Sequence, residues 1–175
     1  MDDRPELPAA LRIVDRVFDV IVYVSRVITG VALVAMTVMF GWLVFGRYVL
    51  NDTPTWVEGY SFLLVMLIAF LGAAVGVREN THISVVIFRT SVPANVRTVF
   101  VFASDLLMAG FGGLMLWYGA QLTAFKWDAL IPLIQISEGY RSLPLTIAGG
   151  LILLFSLGHL ARLLTGHDDR VDHIE

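Results

Sequence analysis

The sequence predicts an all-α integral membrane protein with four transmembrane helices, and three observations predict it. Four intervals carry no Asp, Glu, Lys or Arg: 20 residues between Arg26 and Arg47, 19 between Glu58 and Arg78, 20 between Asp105 and Lys126, and 20 between Arg141 and Arg162. At roughly 1.5 Å rise per residue, about 20 helical residues cross a hydrocarbon core of about 30 Å. Of the 175 residues, 57 % are hydrophobic and 15 % charged, against about 25 % charged in an ordinary soluble domain. The segments left between the intervals are too short to fold separately, so residues 1–175 form a single membrane domain. Hydrocarbon offers no water to a bare peptide group, so each interval must be a helix that closes its own hydrogen bonds.

The first helix is predicted over 9–46. Leu11, Val14, Val17, Phe18, Ile21 and Val22 recur at helical spacing, with Arg12, Asp15, Arg16 and Asp19 on other faces. It therefore starts in the interface and runs into the first span. The acidic residues Asp2, Asp3, Glu6, Asp15 and Asp19 are unlike a cleaved signal, and the segment is expected to be retained. The second span is predicted over 58–78. Between the second and third spans, Ile83, Val86 and Ile87 share a helical face and Arg89 can reach headgroups, which predicts a short interfacial amphipathic helix over 80–92. A lone strand there would leave its edges unpaired. Pro93 suits the first turn of the third span, 94–125, with Ser91 or Val92 before it. The loop to the fourth span, 141–163, contains Leu130-Ile131-Pro132-Leu133-Ile134. Pro132 interrupts any helix there, and the apolar residues point to burial against another protein or a dip into the interface.

Orientation follows from the basic residues. Arg4, Arg12, Arg16 and Arg26, then Arg78, Arg89 and Arg97, then Arg162 and Arg170 fall on one side; Arg47, Lys126 and Arg141 fall on the other. Nine against three puts both termini and the second loop in the cytoplasm. Trp42, Tyr48, Trp56, Tyr60, Trp117, Tyr118, Trp127 and Tyr140 then cluster at the outer face, with Tyr23 alone inside. Amphipathic rings favour headgroup depth, and they also favour protein interfaces; both readings stand.

Residues able to carry chemistry are few. The chain has no cysteine, which excludes disulfide exchange, thiolate metal sites and iron–sulfur clusters of its own. Asp105 is the charge expected within the hydrocarbon, a default candidate for ion or proton handling. The structural alternatives are pairing with Arg26, Arg78 or Arg162, or protonation by desolvation, and without a second carboxylate the structural reading is preferred. His82, His159, His167 and His173 avoid the centres of the spans, so a bis-histidine haem is not expected. No cofactor and no catalytic residue or metal site is assigned. Gly72 and Gly76, and Gly110 with Gly113, are expected to be helix-packing positions, within the bundle or against a partner. The spans lack the polar groups that would replace a cargo's solvation.

Two stretches carry a family resemblance. The first is Arg47-Tyr48-Val49-Leu50-Asn51 followed by Pro54, Trp56 and Glu58; the second is Leu71-Gly72-Ala73-Ala74, then Arg78 and His82-Ile83-Ser84-Val85. Together they resemble the small membrane subunit of tripartite ATP-independent periplasmic (TRAP) transporters, the DctQ-like family. Gly139-Tyr140-Arg141-Ser142-Leu143-Pro144 extends the likeness. Gly59 stands where many relatives have a second Glu, Val86 where an Asp is frequent and Ser137 where a Pro is frequent, so no role built on a doubled carboxylate is carried over.

The resemblance implies an accessory subunit of the bacterial inner membrane, not an enzyme. It would brace a large multi-helix subunit that binds sodium and carries an organic anion, and a periplasmic solute-binding protein would dock on its outer face. Membrane lipids are the remaining partners, and no nucleic acid is expected. Arg47, Asn51, Trp56 and Glu58 would order the outer loop, Arg78 and His82 the inner turn, and Tyr140 and Pro144 the start of the last helix. A self-sufficient ion-coupled transporter relying on Asp105, and a membrane anchor for a redox complex, are the competing readings.

Overall fold

The computed structural model describes residues 9–79, 94–132 and 134–164. They form four helices: α1 (Ala9–Phe45), α2 (Trp56–Arg78), α3 (Ala94–Phe125) and α4 (Gly139–Leu164). All four contain stretches long and apolar enough to cross a membrane. The expected interfacial helix over 80–92, with His82 and Pro93, lies outside the described residues, as do both termini.

Many residues of α1 are β-branched, a composition that would weaken a helix in water through lost rotamer freedom. In lipid the need to satisfy every peptide group outweighs that preference. Thr29 and Thr37 return their hydroxyls to the carbonyls of Ser25 (2.7 Å) and Leu33 (2.9 Å), so neither is left bare. At 37 residues α1 is about 55 Å long, well beyond the hydrocarbon thickness. It continues into a five-residue π-helical turn, Gly46–Leu50, and stops at Asn51, whose left-handed φ of 54° suits that short polar side chain. Asp52 N–H then donates to the Gly46 carbonyl at 3.1 Å. A Cβ on Gly46 would stand 3.0 Å from the Asp52 carbonyl oxygen and 3.1 Å from Pro54, so a side chain there would crowd the turn. Glu58 in the first turn of α2 and Arg78 in its last both complement the helix dipole.

The helices line up side by side in the order α1, α2, α4, α3. The α3–α4 hairpin has the most extensive contact; α4 then meets α2, and α2 meets α1. Ala74 and Val77 of α2 interlock with Ala148 and Ile152 of α4, flanked by Met108 and Met115 of α3. A second cluster joins Val22 and Phe18 of α1 to Val75 of α2 and Phe155 of α4. Most of α1 lies exposed along the edge of the row.

Small residues set the α3–α4 spacing. A Cβ on Gly149 would fall 2.5 Å from the Leu116 backbone nitrogen, and one on Gly112 2.7 Å from that of Leu153. Gly119 meets Thr146 in the same way. Gly72, Gly110 and Gly113, by contrast, have open space where a side chain would go. Among the described residues, none of the three is closely approached by a neighbour.

Gly149→Ala should therefore cost about 1–3 kcal/mol by overpacking against a backbone that cannot yield. Gly72→Ala should be neutral or gain about 0.5–1 kcal/mol from reduced backbone freedom. Thermal unfolding of the two variants in the same detergent measures the difference.

Candidate functional site

Functional side chains gather at the two ends of the row. At the end where α1 begins and α2 and α4 finish, Asp15 of α1 pairs with both Arg162 of α4 and Arg78 of α2, the latter at 3.5 Å. Arg78 also reaches Asp19 at 3.2 Å, and Arg26 pairs with Glu79. Asp15 and Asp19 sit one helical turn apart, which lets one guanidinium engage both. Beneath them Phe18 meets Phe155 edge to face at 5.2 Å, and the Arg78 guanidinium lies 5.6 Å above the Phe18 ring. Gly158 makes room for that ring: a Cβ there would fall 2.6 Å from Phe18 Cε2. The result is a polar clamp over an aromatic contact that ties α1 to α2 and α4.

Asp105 lies one layer deeper, on α3, and is 7 % exposed. It faces His159 of α4, itself 3 % exposed, with Nδ1 3.8 Å from Oδ1. Of the arginines expected to neutralise Asp105, Arg26 and Arg78 instead take Glu79, Asp15 and Asp19. Those two belong to α1 and α2, whereas α3 makes its extensive contact with α4. The Asp105–His159 contact joins the two most tightly packed helices.

At the opposite end, residues 126–138 fold into a compact connection. Leu130 and Ser137 form an isolated antiparallel bridge, with Ile131 N–H donating to the Ile136 carbonyl (2.8 Å) and Glu138 N–H to that of Ala129 (2.7 Å). Gln135 takes a left-handed φ of 53° to close it. The apolar residues of this loop divide their roles. Ile131 is buried and Ile134 packs on Gly59 of α2, while Leu130 stays 57 % exposed. Much of the loop's hydrophobicity is thus absorbed by the chain itself, an outcome the sequence reading had not included. Gly59 is accounted for by the same contact, since a Cβ there would stand 3.2 Å from Ile134. Ser137 donates to the Trp127 carbonyl and accepts from Gly139 N–H, opening α4 without a proline.

Glu138 bridges Lys126 at 2.9 Å and stands 3.7 Å from Arg141, whose guanidinium lies 4.9 Å over the Phe62 ring of α2. Trp127 and Tyr140 stack at 5.6 Å, and Trp56 meets Tyr60 at 6.1 Å. Thr123, Ser142 and Thr146 satisfy one another in a buried hydroxyl cluster, with Thr123 also donating to the Gly119 carbonyl.

Of the residues singled out from sequence, Arg47, Asn51, Trp56 and Glu58 all sit at this second end and are exposed. Tyr140 joins them through Trp127, whereas Pro144 is buried inside α4. Arg78 belongs to the clamp at the other end. Asp15, Glu79 and Glu138 were given no pairing role, and Arg162 and His159 were not matched to the partners they meet. Most of these pairs span long stretches of sequence (63 residues separate Asp15 from Arg78), so only the helix order reveals them, whereas Glu138 meets Lys126 and Arg141 close by in the chain.

Four apolar helices, fixed by a charged clamp at one end and a structured aromatic loop at the other, define a polytopic membrane component with no visible catalytic constellation among the described residues. The chain belongs to the family of tripartite ATP-independent periplasmic transporters, DctQ component, whose model matches residues 36–166. It is similar to the sialic acid TRAP transporter small permease protein SiaQ of Vibrio cholerae serotype O1, with 25 % identity over 149 residues, covering 82 % of this chain and 84 % of the relative. The protein is accordingly a small TRAP transporter subunit, a multi-pass protein of the bacterial inner membrane and not an enzyme.

Asp15→Ala should release the start of α1 by leaving Arg78 and Arg162 without their shared carboxylate. Amide exchange across residues 13–24 is expected to rise about tenfold while α3 stays protected. Hydrogen exchange by mass spectrometry reads both regions in one experiment.

Proposed function

We propose that the subunit stays fixed in the membrane and braces a larger, sodium-binding transport subunit while a periplasmic solute-binding protein docks near its outer loops. The observation that carries this reading is the open row of helices. Exposed apolar side chains occur on all four helices and along nearly the whole of α1, a surface built to be covered by protein and lipid. A chain that moved cargo alone would need polar groups along a path, and its deepest described carboxylate, Asp105, is held against His159 between two closely packed helices.

The excess of basic residues at the clamp end supports placing it in the cytoplasm. The loop end, with Arg47, Asn51, Trp56, Glu58 and Tyr140, then faces the periplasm and supplies the docking surface. Arg78 holds the inner turn through Asp15 and Asp19. Gly72, Gly110 and Gly113, which have no close neighbour among the described residues, are positions where a partner helix could approach closely. No cofactor is held by this subunit, and sodium belongs to the large one. The solute is an organic anion, the class that includes the sialic acid of the relative's name, and the other two components select it.

Replacing Trp56 and Glu58 together by Ala should lower solute uptake about tenfold, as expected when an interfacial aromatic anchor and a charge are lost, while the large subunit still co-purifies. Uptake into cells or proteoliposomes, paired with affinity purification in mild detergent, measures both. Transport by the isolated chain in vesicles would overturn the bracing role.

A further inference from the structure

Between α2, α3 and α4, at the loop end, a cavity of about 240 Å³ opens to the surface. Its walls are Met66 and Phe70 of α2, Leu122 of α3 and Leu145 of α4. Its rim carries Lys126, Glu138 and Arg141. These two sets are stacked in order of depth. Leu122 lies one turn below Lys126, Leu145 one turn below Arg141, and Met66 and Phe70 one and two turns below the Phe62 ring that supports Arg141. Charges thus sit at the ends of the spans, where headgroups lie, and an apolar slot descends from them toward the middle of the membrane.

The rim is short of negative charge. Glu138 is a single carboxylate facing two cations; it hydrogen-bonds Lys126 at 2.9 Å and stays 3.7 Å from Arg141 Nη1, beyond hydrogen-bond range. Arg141 Nε is buried without an acceptor, and the side chain as a whole is still 34 % exposed. A guanidinium with no hydrogen-bonded acceptor for its side chain, at the edge of a low-dielectric region, favours an added anion. The rim's net charge of about +1 matches one phosphodiester.

We propose that this pocket binds one phospholipid, its phosphodiester on Lys126 and Arg141 and one acyl chain along Leu122, Leu145, Met66 and Phe70. A carboxylate from another protein could reach the cations, but it would leave the slot beneath them empty. A lipid fills both parts at once. Under the orientation proposed above the lipid belongs to the outer leaflet, while the site itself is independent of that assignment.

The test is native mass spectrometry of the full chain, stripped of lipid in mild detergent and given dioleoyl phosphatidylglycerol. The parent should retain one lipid. Arg141→Gln and Lys126→Gln should each weaken retention about tenfold, the loss of a charge-assisted contact. Leu145→Trp, which blocks the slot but keeps every charge, should do the same, and Gln121→Ala on the exposed side of α3 should not. Dioleoylglycerol lacks the phosphate and inorganic phosphate lacks the chains, so neither should compete. Circular dichroism identifies any variant that fails to fold, in which case Leu145→Trp and the dioleoylglycerol comparison decide. Undiminished retention by the folded variants, equal retention of dioleoylglycerol, or photocrosslinks from position 145 that capture a polypeptide in place of lipid would each overturn the proposal.

Discussion

Lipid removes the hydrophobic drive that presses helices together in water, so adhesion between spans must come from close backbone approach and from paired polar groups. Both are concentrated in the α3–α4 hairpin. Gly112, Gly119 and Gly149 let the two backbones meet, Thr123, Ser142 and Thr146 exchange hydrogen bonds across the seam, and Asp105 faces His159 farther along it. The rest of the row is laid against that rigid pair. α2 adds through alanine and valine contacts with α4, and α1 adds through α2 and the clamp. Adhesion therefore declines from α3 and α4 toward α1.

That gradient fits an accessory subunit. In the proposed bracing role the stiff pair of helices would be the fixed part, while the extended, thinly attached α1 offers a long apolar rail to its surroundings. The two ends use different chemistry for the same purpose. One holds three helices with arginines and carboxylates over stacked phenylalanines; the other holds its loop with backbone hydrogen bonds, a bridging Glu138 and aromatic pairs.

Charge-free intervals made the four helices legible in the sequence, because the hydrocarbon imposes one length and one backbone solution on every span. The family was legible from short motifs around Arg47–Glu58 and Leu71–Val85, and the match over residues 36–166 agrees. Contacts between helices were not legible. Helix order is set by which faces meet, and Gly110 and Gly112 look equally suited to packing until the rotation of α3 is known. Asp105 was singled out for its depth alone; its neighbour His159 sits 54 residues on, where single-sequence periodicity carries no information. The loop's Ile131 and Ile134 looked available to a partner because the glycine that receives Ile134, Gly59, lies on another helix.

The clamp has a consequence for biogenesis. Asp15 lies at the start of α1 and Arg162 near the end of α4, so the ribosome makes one long before the other. Until α4 is made, α1 can rest only on α2, with Arg78 and Glu79 as its charge partners among the described residues. Synthesis of α4 is thus coupled to immobilisation of α1, and a product truncated before α4 would leave α1 poorly anchored and open to membrane quality-control proteases.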